Sequence, residues 1–510
     1  MIRNKTSYTV VVMMAITLVG KAMGLLRDSM QARYLGADTA ESIAFAQASM
    51  LPRNFLDIMF AAAFSASFIP VFNAYMEQKG KRAAFDLAAL FISVVLVLTA
   101  VVTVVSILFA RPIFVLSLGD GPFPDGTVSL GVSLLIYMFP LLILSGLAFS
   151  FTGVLQSLGE FRIPAAMSVV SNGIILVYYF FFFDRFGVYG LVAAFLVGWG
   201  AQGIIQIPFL VKHKFRFRFR LDFKDPGLRQ IGALALPVMA ATWIVPINVM
   251  VNARASAGLY GGVFGVNAIY FAHGLYAIIS GVFVLSVANV IFPKLSRQAA
   301  ADDHDGFSAT VNETVRVLFF FLLPLTFGVM ALSRPLVGFI YGGGEFCERA
   351  VDITGTALFY FAPGILGYGL LVVLTRACYA RQDGRTPIFT AVVAILVNGV
   401  LSFLLAPHMY IAGPALASAV ANSVGAIILL IALTKKGVLT WSVELLKDLA
   451  KMAAFALMMF VLVVVVARVF VSQLVILQLL IPAAAGAAVY FGLSAVFRIK
   501  EMKWVSSKKP

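Results

Sequence analysis

The sequence predicts an all-α integral membrane protein with about fourteen transmembrane helices. Composition and periodic apolar runs carry the prediction. Of 510 residues, 61% are hydrophobic, only 12% are charged and mean hydropathy is +0.98, whereas soluble domains carry about 25% charge. Runs of ~20 apolar residues, the length that crosses a bilayer, recur along the whole chain and leave no space for a sizeable aqueous domain.

The runs fall at 9–32, 42–75, 84–110, 129–156, 161–183, 187–211, 230–254, 265–292, 308–332, 352–379, 387–406, 410–433, 448–468 and 472–497. The second holds Pro52 and Pro70 and is expected to kink or break. Arg3 and Lys5 precede the first run, which passes into a charged helix without a small-residue cleavage site, so an anchor helix is expected and not a cleaved leader.

The loops test this count, because Lys and Arg gather on cytoplasmic connections. With the N-terminus inside, 26 of the 38 cations fall on cytoplasmic segments, 7 on the opposite loops and 5 within spans. The asymmetry supports an even number of spans and cytoplasmic termini. It also accounts for the net charge of +15 by topology, not by nucleic-acid binding.

Segment 212–229 divides six spans from the eight that follow. From Lys212 it reads Lys-His-Lys-Phe-Arg-Phe-Arg-Phe-Arg-Leu-Asp-Phe-Lys. Interleaved Arg and Phe would suit a single-stranded nucleic-acid platform. Directly after a membrane span, the better reading is a linker held on anionic headgroups. The halves also echo each other. After cytoplasmic loops with Arg and Pro, apolar helices carry Asn172-Gly173 and Asn398-Gly399. Internal repeats of this kind are common in secondary transporters.

The most informative stretch is Lys21-Ala-Met-Gly24-Leu-Leu-Arg27-Asp28. Charges at membrane depth cost several kcal/mol unless they face protein or water. Arg27 lies ~27 Å along the helix from Thr9 and can snorkel to an interface; Lys21, at ~18 Å, is less well placed. Lys21 and Asp28, seven residues apart, share a stripe. Gly24 between them admits a neighbouring helix or a ligand. Arg27 either pairs with an acid such as Asp28 or joins Lys21 in a cationic wall suited to phosphate or pyrophosphate. In the second span, Arg53 and Asp57 are spaced for an intrahelical ion pair or for substrate contact, and 61–67 is a small-residue packing face. The turn 379–387, with Arg381 and Asp383, reads as structural or gating, and Pro387 starts a helix.

Cys347 and Cys378 are too few for a disulfide framework. His213, His273, His304 and His408 show no metal-ligand spacing. No nucleophile elbow and no Walker sequence occurs, so neither an enzyme nor a resident cofactor or metal is expected.

Gly24-Leu-Leu-Arg27-Asp28, Leu51-Pro52, Ala63-Phe64-Ser65-Ala66-Ser67-Phe68-Ile69-Pro70, Phe292-Pro293-Lys294-Leu295-Ser296 and 379–387 together resemble the MurJ (MviN) family of lipid II flippases, within a superfamily of multidrug and oligosaccharidyl-lipid exporters. The resemblance covers most of the chain. It implies two six-helix lobes plus two C-terminal helices: 1–211, the linker 212–229, 230–434, and 435–510 with a basic tail. It also implies a central cationic cavity, alternating access in the bacterial inner membrane, and a polyprenyl pyrophosphate-linked peptidoglycan precursor as cargo. A coupling cation or the membrane potential would drive the cycle. Arg27 matches the family's first-helix arginine, and Lys21 replaces a second one. A direct alignment puts Leu56, beside Arg53 and Asp57, where the family has arginine. Ala61-Ala62 replaces the family's small-acidic-Gly signature. His273 and Gly274 stand where the family shows Asp-Arg, so His273 is the cavity candidate there, with a charge that depends on pH. Two rival functions stay open: export of another polyprenyl-linked saccharide or amphiphile, and a non-transporting scaffold of the same fold.

Overall fold

A computed structural model describes residues 2–53, 58–119, 121–242, 244–470 and 474–504. Among them the chain is predominantly helical, and the only extended pairing is an isolated bridge between Gly343 and Phe346. The helices are α1 (Ile2–Leu35), α2 (Ala40–Pro52), α3 (Ile58–Gln78), α4 (Gly80–Leu108), α5 (Ala110–Leu118), α6 (Thr127–Met138), α7 (Leu141–Ser157), α8 (Arg162–Phe181), α9 (Phe183–Ile204), α10 (Ile207–Lys212), α11 (Pro226–Thr242) and α12 (Ile244–Ser256). The second half continues with α13 (Gly265–Ala300), α14 (His304–Ala331), α15 (Ser333–Tyr341), α16 (Glu348–Phe361), α17 (Gly364–Ala380), α18 (Arg385–Met409), α19 (Ala412–Lys435), α20 (Val443–Val469) and α21 (Val475–Val496).

Among the described residues, ten spans are long and apolar enough to cross a bilayer, and α16 with α17, bent by 47°, makes an eleventh. The other three expected spans correspond to α1, to α2 with α3, and to α11 with α12. The first carries Lys21, Arg27 and Asp28. In the other two, residues 54–57 and 243 lie outside the described residues.

The chain forms two compact units, Met1–Ile247 and Asn248–Pro510. In the first, α1 packs on α8, and α3 packs on α4, α7 and α11. Phe68, Phe72 and Phe91 form its aromatic core with Phe215 of the basic linker and Ile231 of α11. The linker and the start of the seventh expected span therefore belong to this unit, and the division falls beyond 230. In the second unit, α18 packs on α19, α17 on α19 and α13, and α20 on α14 and α21.

The faint sequence echo has a structural counterpart. In each unit a long helix (α4, α14) is followed by a short one (α5, α15). A span then breaks at a proline, Pro140 between α6 and α7 and Pro363 between α16 and α17. The next loop holds a left-handed residue, Gly159 (φ +82°) or Gln382 (φ 59°), before the helix that carries the Asn-Gly pair. Proline breaks the i to i−4 hydrogen bonds and fixes these bends.

Candidate functional site

Helix α1 positions the first-span charges against α8 because two glycines remove side chains at the crossing. A Cβ at Gly20 would lie 2.2 Å from Ser168 Oγ and 3.3 Å from its Cβ, so Ser168 would have to turn away, and one at Gly24 would lie 3.4 Å from Asn172 Nδ2. Gly24 thus serves helix approach. Its four-residue spacing from Gly20, visible in the sequence as Gly-xxx-Gly, is a recognised signature of close helix crossing.

Across that crossing, Arg27 is 7% exposed. Its Nε and Nη2 donate to Asp28 Oδ1 at 3.0 and 2.7 Å, and its Nη1 donates to Asn172 Oδ1 at 2.9 Å. Asn172 in turn donates to the Gly20 carbonyl at 3.2 Å. A guanidinium has five N–H donors, so two have no partner among the described residues. Arg27 also lies over the Phe195 ring at 5.8 Å, and Arg53 over the same ring at 5.5 Å. Phe195 is itself wedged between Phe45 and Trp199. One aromatic platform therefore brings Arg27 and Arg53 together, as cation–π attraction favours.

The structure keeps open both roles of the Arg27–Asp28 pair. Arg27 is ion-paired, and it is also fixed in orientation by Asp28 and Asn172, with two donors unpartnered among the described residues. Lys21 is exposed on α1. Asp57 and Leu56 lie outside the described residues. Asn172 is the site residue that sequence reasoning missed. Its Asn-Gly signal reads as a repeat mark, and its partner Arg27 is 145 residues away.

The second unit carries a neutral counterpart. Asn398 of α18 donates to Asn248 and Asn252 of α12 at 3.2 and 3.1 Å and accepts from Ser418 of α19 at 3.0 Å. Ser402 also donates to Asn252 Oδ1 at 3.0 Å. Each Asn-Gly asparagine thus clamps an earlier helix of its own unit, with a guanidinium partner in the first and amides in the second. His273 sits among aromatic rings, 6.0 Å from Tyr276 and 5.8 Å from Phe361 between centroids. Gly274 faces the Tyr341 hydroxyl.

Arg381 is exposed, with its guanidinium 5.9 Å from the Phe307 ring. Asp383 pairs with Lys436 and accepts from Thr386 N and Oγ1 at 3.1 and 2.6 Å. Burial alone would raise the Asp383 carboxyl, but the Lys436 ammonium and the Thr386 hydroxyl and amide outweigh it and bring its pKa down to about 2. These residues tie the start of α18 to the end of α19. Among the described residues no cluster of three metal-ligating side chains occurs.

The profile of the family described as "Lipid II flippase MurJ" matches residues 31–484. A probable lipid II flippase MurJ of Vibrio cholerae is 29% identical over 408 residues, covering 78% of this chain and 77% of that protein. The lipid II flippase MurJ of Burkholderia cenocepacia is 26% identical over 429 residues, with 83% and 82% covered. A solved lipid II flippase MurJ in an inward closed conformation superposes with a TM-score of 0.80 at 22% identity, over 96% of this chain and 98% of that one. An inward-facing multidrug transporter of the MATE family superposes at 0.73 with 13% identity, over 84% and 97%. These two likenesses fix the fold. With the family profile spanning nearly the whole helical body, the chain belongs to the MurJ family of lipid II flippases.

Proposed function

We propose that this chain moves lipid II from the inner to the outer leaflet of the bacterial inner membrane by alternating access. The observation that carries the reading is Arg27, a buried guanidinium held by Asp28 and Asn172, with two N–H donors unspent among the described residues. A pyrophosphate offers paired acceptor oxygens, which guanidinium binds more strongly than neutral donors do. Arg53 on the Phe195 platform and Lys21, on α1 with Arg27, would share the negative charge. The polyprenyl tail would remain in lipid. The moving bodies would be the two compact units, Met1–Ile247, which includes the basic linker, and Asn248–Pro510, with both termini in the cytoplasm.

Exporting an anionic head group moves negative charge outward. An inside-negative potential favours that step by about 2.3 kcal/mol per elementary charge per 100 mV. Cationic site residues that neutralise the cargo shift this work to the empty return and leave the cycle total unchanged. The potential therefore suffices as a driving force, with or without a coupling cation.

The test is replacement in cells depleted of their own lipid II flippase, reading growth and lipid II exposed on the outer leaflet. The chain should restore both. Arg27→Ala should lower exposure about ten- to a hundred-fold, the worth of a charged hydrogen-bonding group, at unchanged protein level. Arg27→Lys, which keeps charge but not the fork, should recover only part. Full activity of Arg27→Ala would overturn the reading. A second reading, export of another polyprenyl-linked saccharide, is favoured by one observation: His273, where the family shows an acid–arginine pair, is packed among aromatic rings. It predicts that the chain binds a polyprenyl pyrophosphate without the lipid II head group and leaves lipid II inside.

A further inference from the structure

The basic, aromatic linker is not used by the transport site, yet it is built into the first unit. Lys212 ends α10, and residues 215–222 run without helix or turn. Phe215 is buried against Phe85 of α4, with ring centroids 5.4 Å apart and edge-to-face. The backbone N–H of Arg220 donates to Ser93 Oγ on α4 at 3.1 Å. Two anchors therefore lay the strand along α4, from its charged first turns to Ser93, about 20 Å up the helix. Ser93 is fully buried and lies where the apolar face of this spanning helix has begun.

The rest of the strand faces outward. Phe217, Phe219 and Phe223 are 46%, 58% and 63% exposed. Arg216, Arg218, Lys212, Lys214, Lys224 and Arg229 are exposed as well. Segment 212–229 holds seven cations against two acids, Asp222 and Asp225. Asp222 is occupied by Arg220 at 3.0 Å. Bare phenylalanine rings are costly in water, and exposed guanidinium groups are costly in hydrocarbon. Both are satisfied together at the boundary between acyl chains and phosphate headgroups, where aromatic rings and cations of spanning proteins gather.

We propose that residues 212–224 form a docking surface for anionic phospholipid. Phe217, Phe219 and Phe223 would enter the acyl boundary, and Arg216, Arg218 and Lys224 would bind headgroup phosphates of the leaflet they face. The surface pins the linker to the bilayer beside the first half of α4, independently of what the transport site carries. Each basic residue near an anionic surface is worth about five-fold in affinity.

The experiment uses the full chain in nanodiscs of mixed phosphatidylcholine and phosphatidylglycerol, with lipids retained on the ejected protein counted by native mass spectrometry. The unaltered chain should retain phosphatidylglycerol above its bulk share. The triple variant Arg216→Gln/Arg218→Gln/Lys224→Gln should fall toward the bulk ratio, with affinity lowered roughly five-fold for each charge removed. Equal enrichment in both proteins would overturn the proposal. So would tight, salt-sensitive binding of a single-stranded oligonucleotide by the unaltered chain with no phosphatidylglycerol enrichment. If the triple variant does not fold, Phe219→Trp serves instead. Its added fluorescence should be quenched by brominated acyl chains more strongly when phosphatidylglycerol is present, and equal or absent quenching would reject the surface.

Discussion

At the residue scale, the site depends on matching donors with acceptors in a low-dielectric interior. Asn172 holds Arg27 by one oxygen and the α1 backbone by its amide, so Asn172→Leu removes both at nearly constant volume. Loss of a bond to a charged group costs about 1.5–3 kcal/mol. The variant should therefore melt lower by that amount in detergent and expose less lipid II, while Asn172→Gln should keep part of both. The opposite sign is expected nearby. Gln31 and Gln47 are fully buried, and among the described residues their amide atoms have no hydrogen-bond partner. An unmet buried amide costs about 1–3 kcal/mol, so Gln47→Leu should raise the melting midpoint. A lower midpoint would mean that the amide is satisfied in the native protein. The charged stretch Lys21–Asp28 was legible because charge in an apolar run is conspicuous. Asn172 was not, since one amide in a helix has many uses and only the fold brings it to Arg27.

At the element scale, packing is fixed by long-range polar ties that sequence spacing does not reveal. Arg316 of α14 donates to Asp448 of α20 at 2.5 Å and to Glu501, in the turn after α21, at 2.6 Å. Around them Phe320, Phe455, Met459 and Tyr490 form the core that joins the last helices to α14. The sequence marks Arg316 only as a cation inside a span. Its two acids are 132 and 185 residues away. Because Glu501 is buried, Arg316→Met leaves an unpaired carboxylate and should cost about 3–5 kcal/mol, seen as earlier melting and faster proteolysis beyond Lys435. The Asp383–Lys436 tie behaves differently with acid. A carboxyl whose folded pKa lies near 2, below its ordinary 3.8, stabilises the fold above that ordinary value. It loses the contribution as pH falls toward 2. Asp383→Asn should therefore lower the midpoint at pH 7 by less than about 1 kcal/mol, and the difference from the unaltered chain should vanish across that acid window.

At the scale of the whole molecule, two signals were strong enough to read from sequence: the recurrence of apolar runs and the sorting of cations between loops. Both are properties of a chain in a bilayer, where backbone groups must be satisfied within each helix. The breaks at Pro140 and Pro363 and the extra helices α5 and α15 were not legible, because short amphipathic pieces beside a span share its composition. The division at Ile247–Asn248 was not legible either, since it rests on α11 packing against α3. Topology itself yields to a thiol test. Cys347 is exposed at the start of α16, whereas Cys378 is buried within α17. Cation sorting puts the loop before α16 on the outer face. A membrane-impermeant maleimide added to intact spheroplasts should therefore label the unaltered chain and fail on Cys347→Ser. Cys378→Ser should label normally, because a thiol needs access to react. Labelling that requires permeabilised cells would put that loop in the cytoplasm. It would reverse every span and, with fourteen crossings, carry both termini outside. The basic linker would then lie away from the anionic cytoplasmic leaflet. One modification readout thus tests the orientation on which outward lipid transport depends.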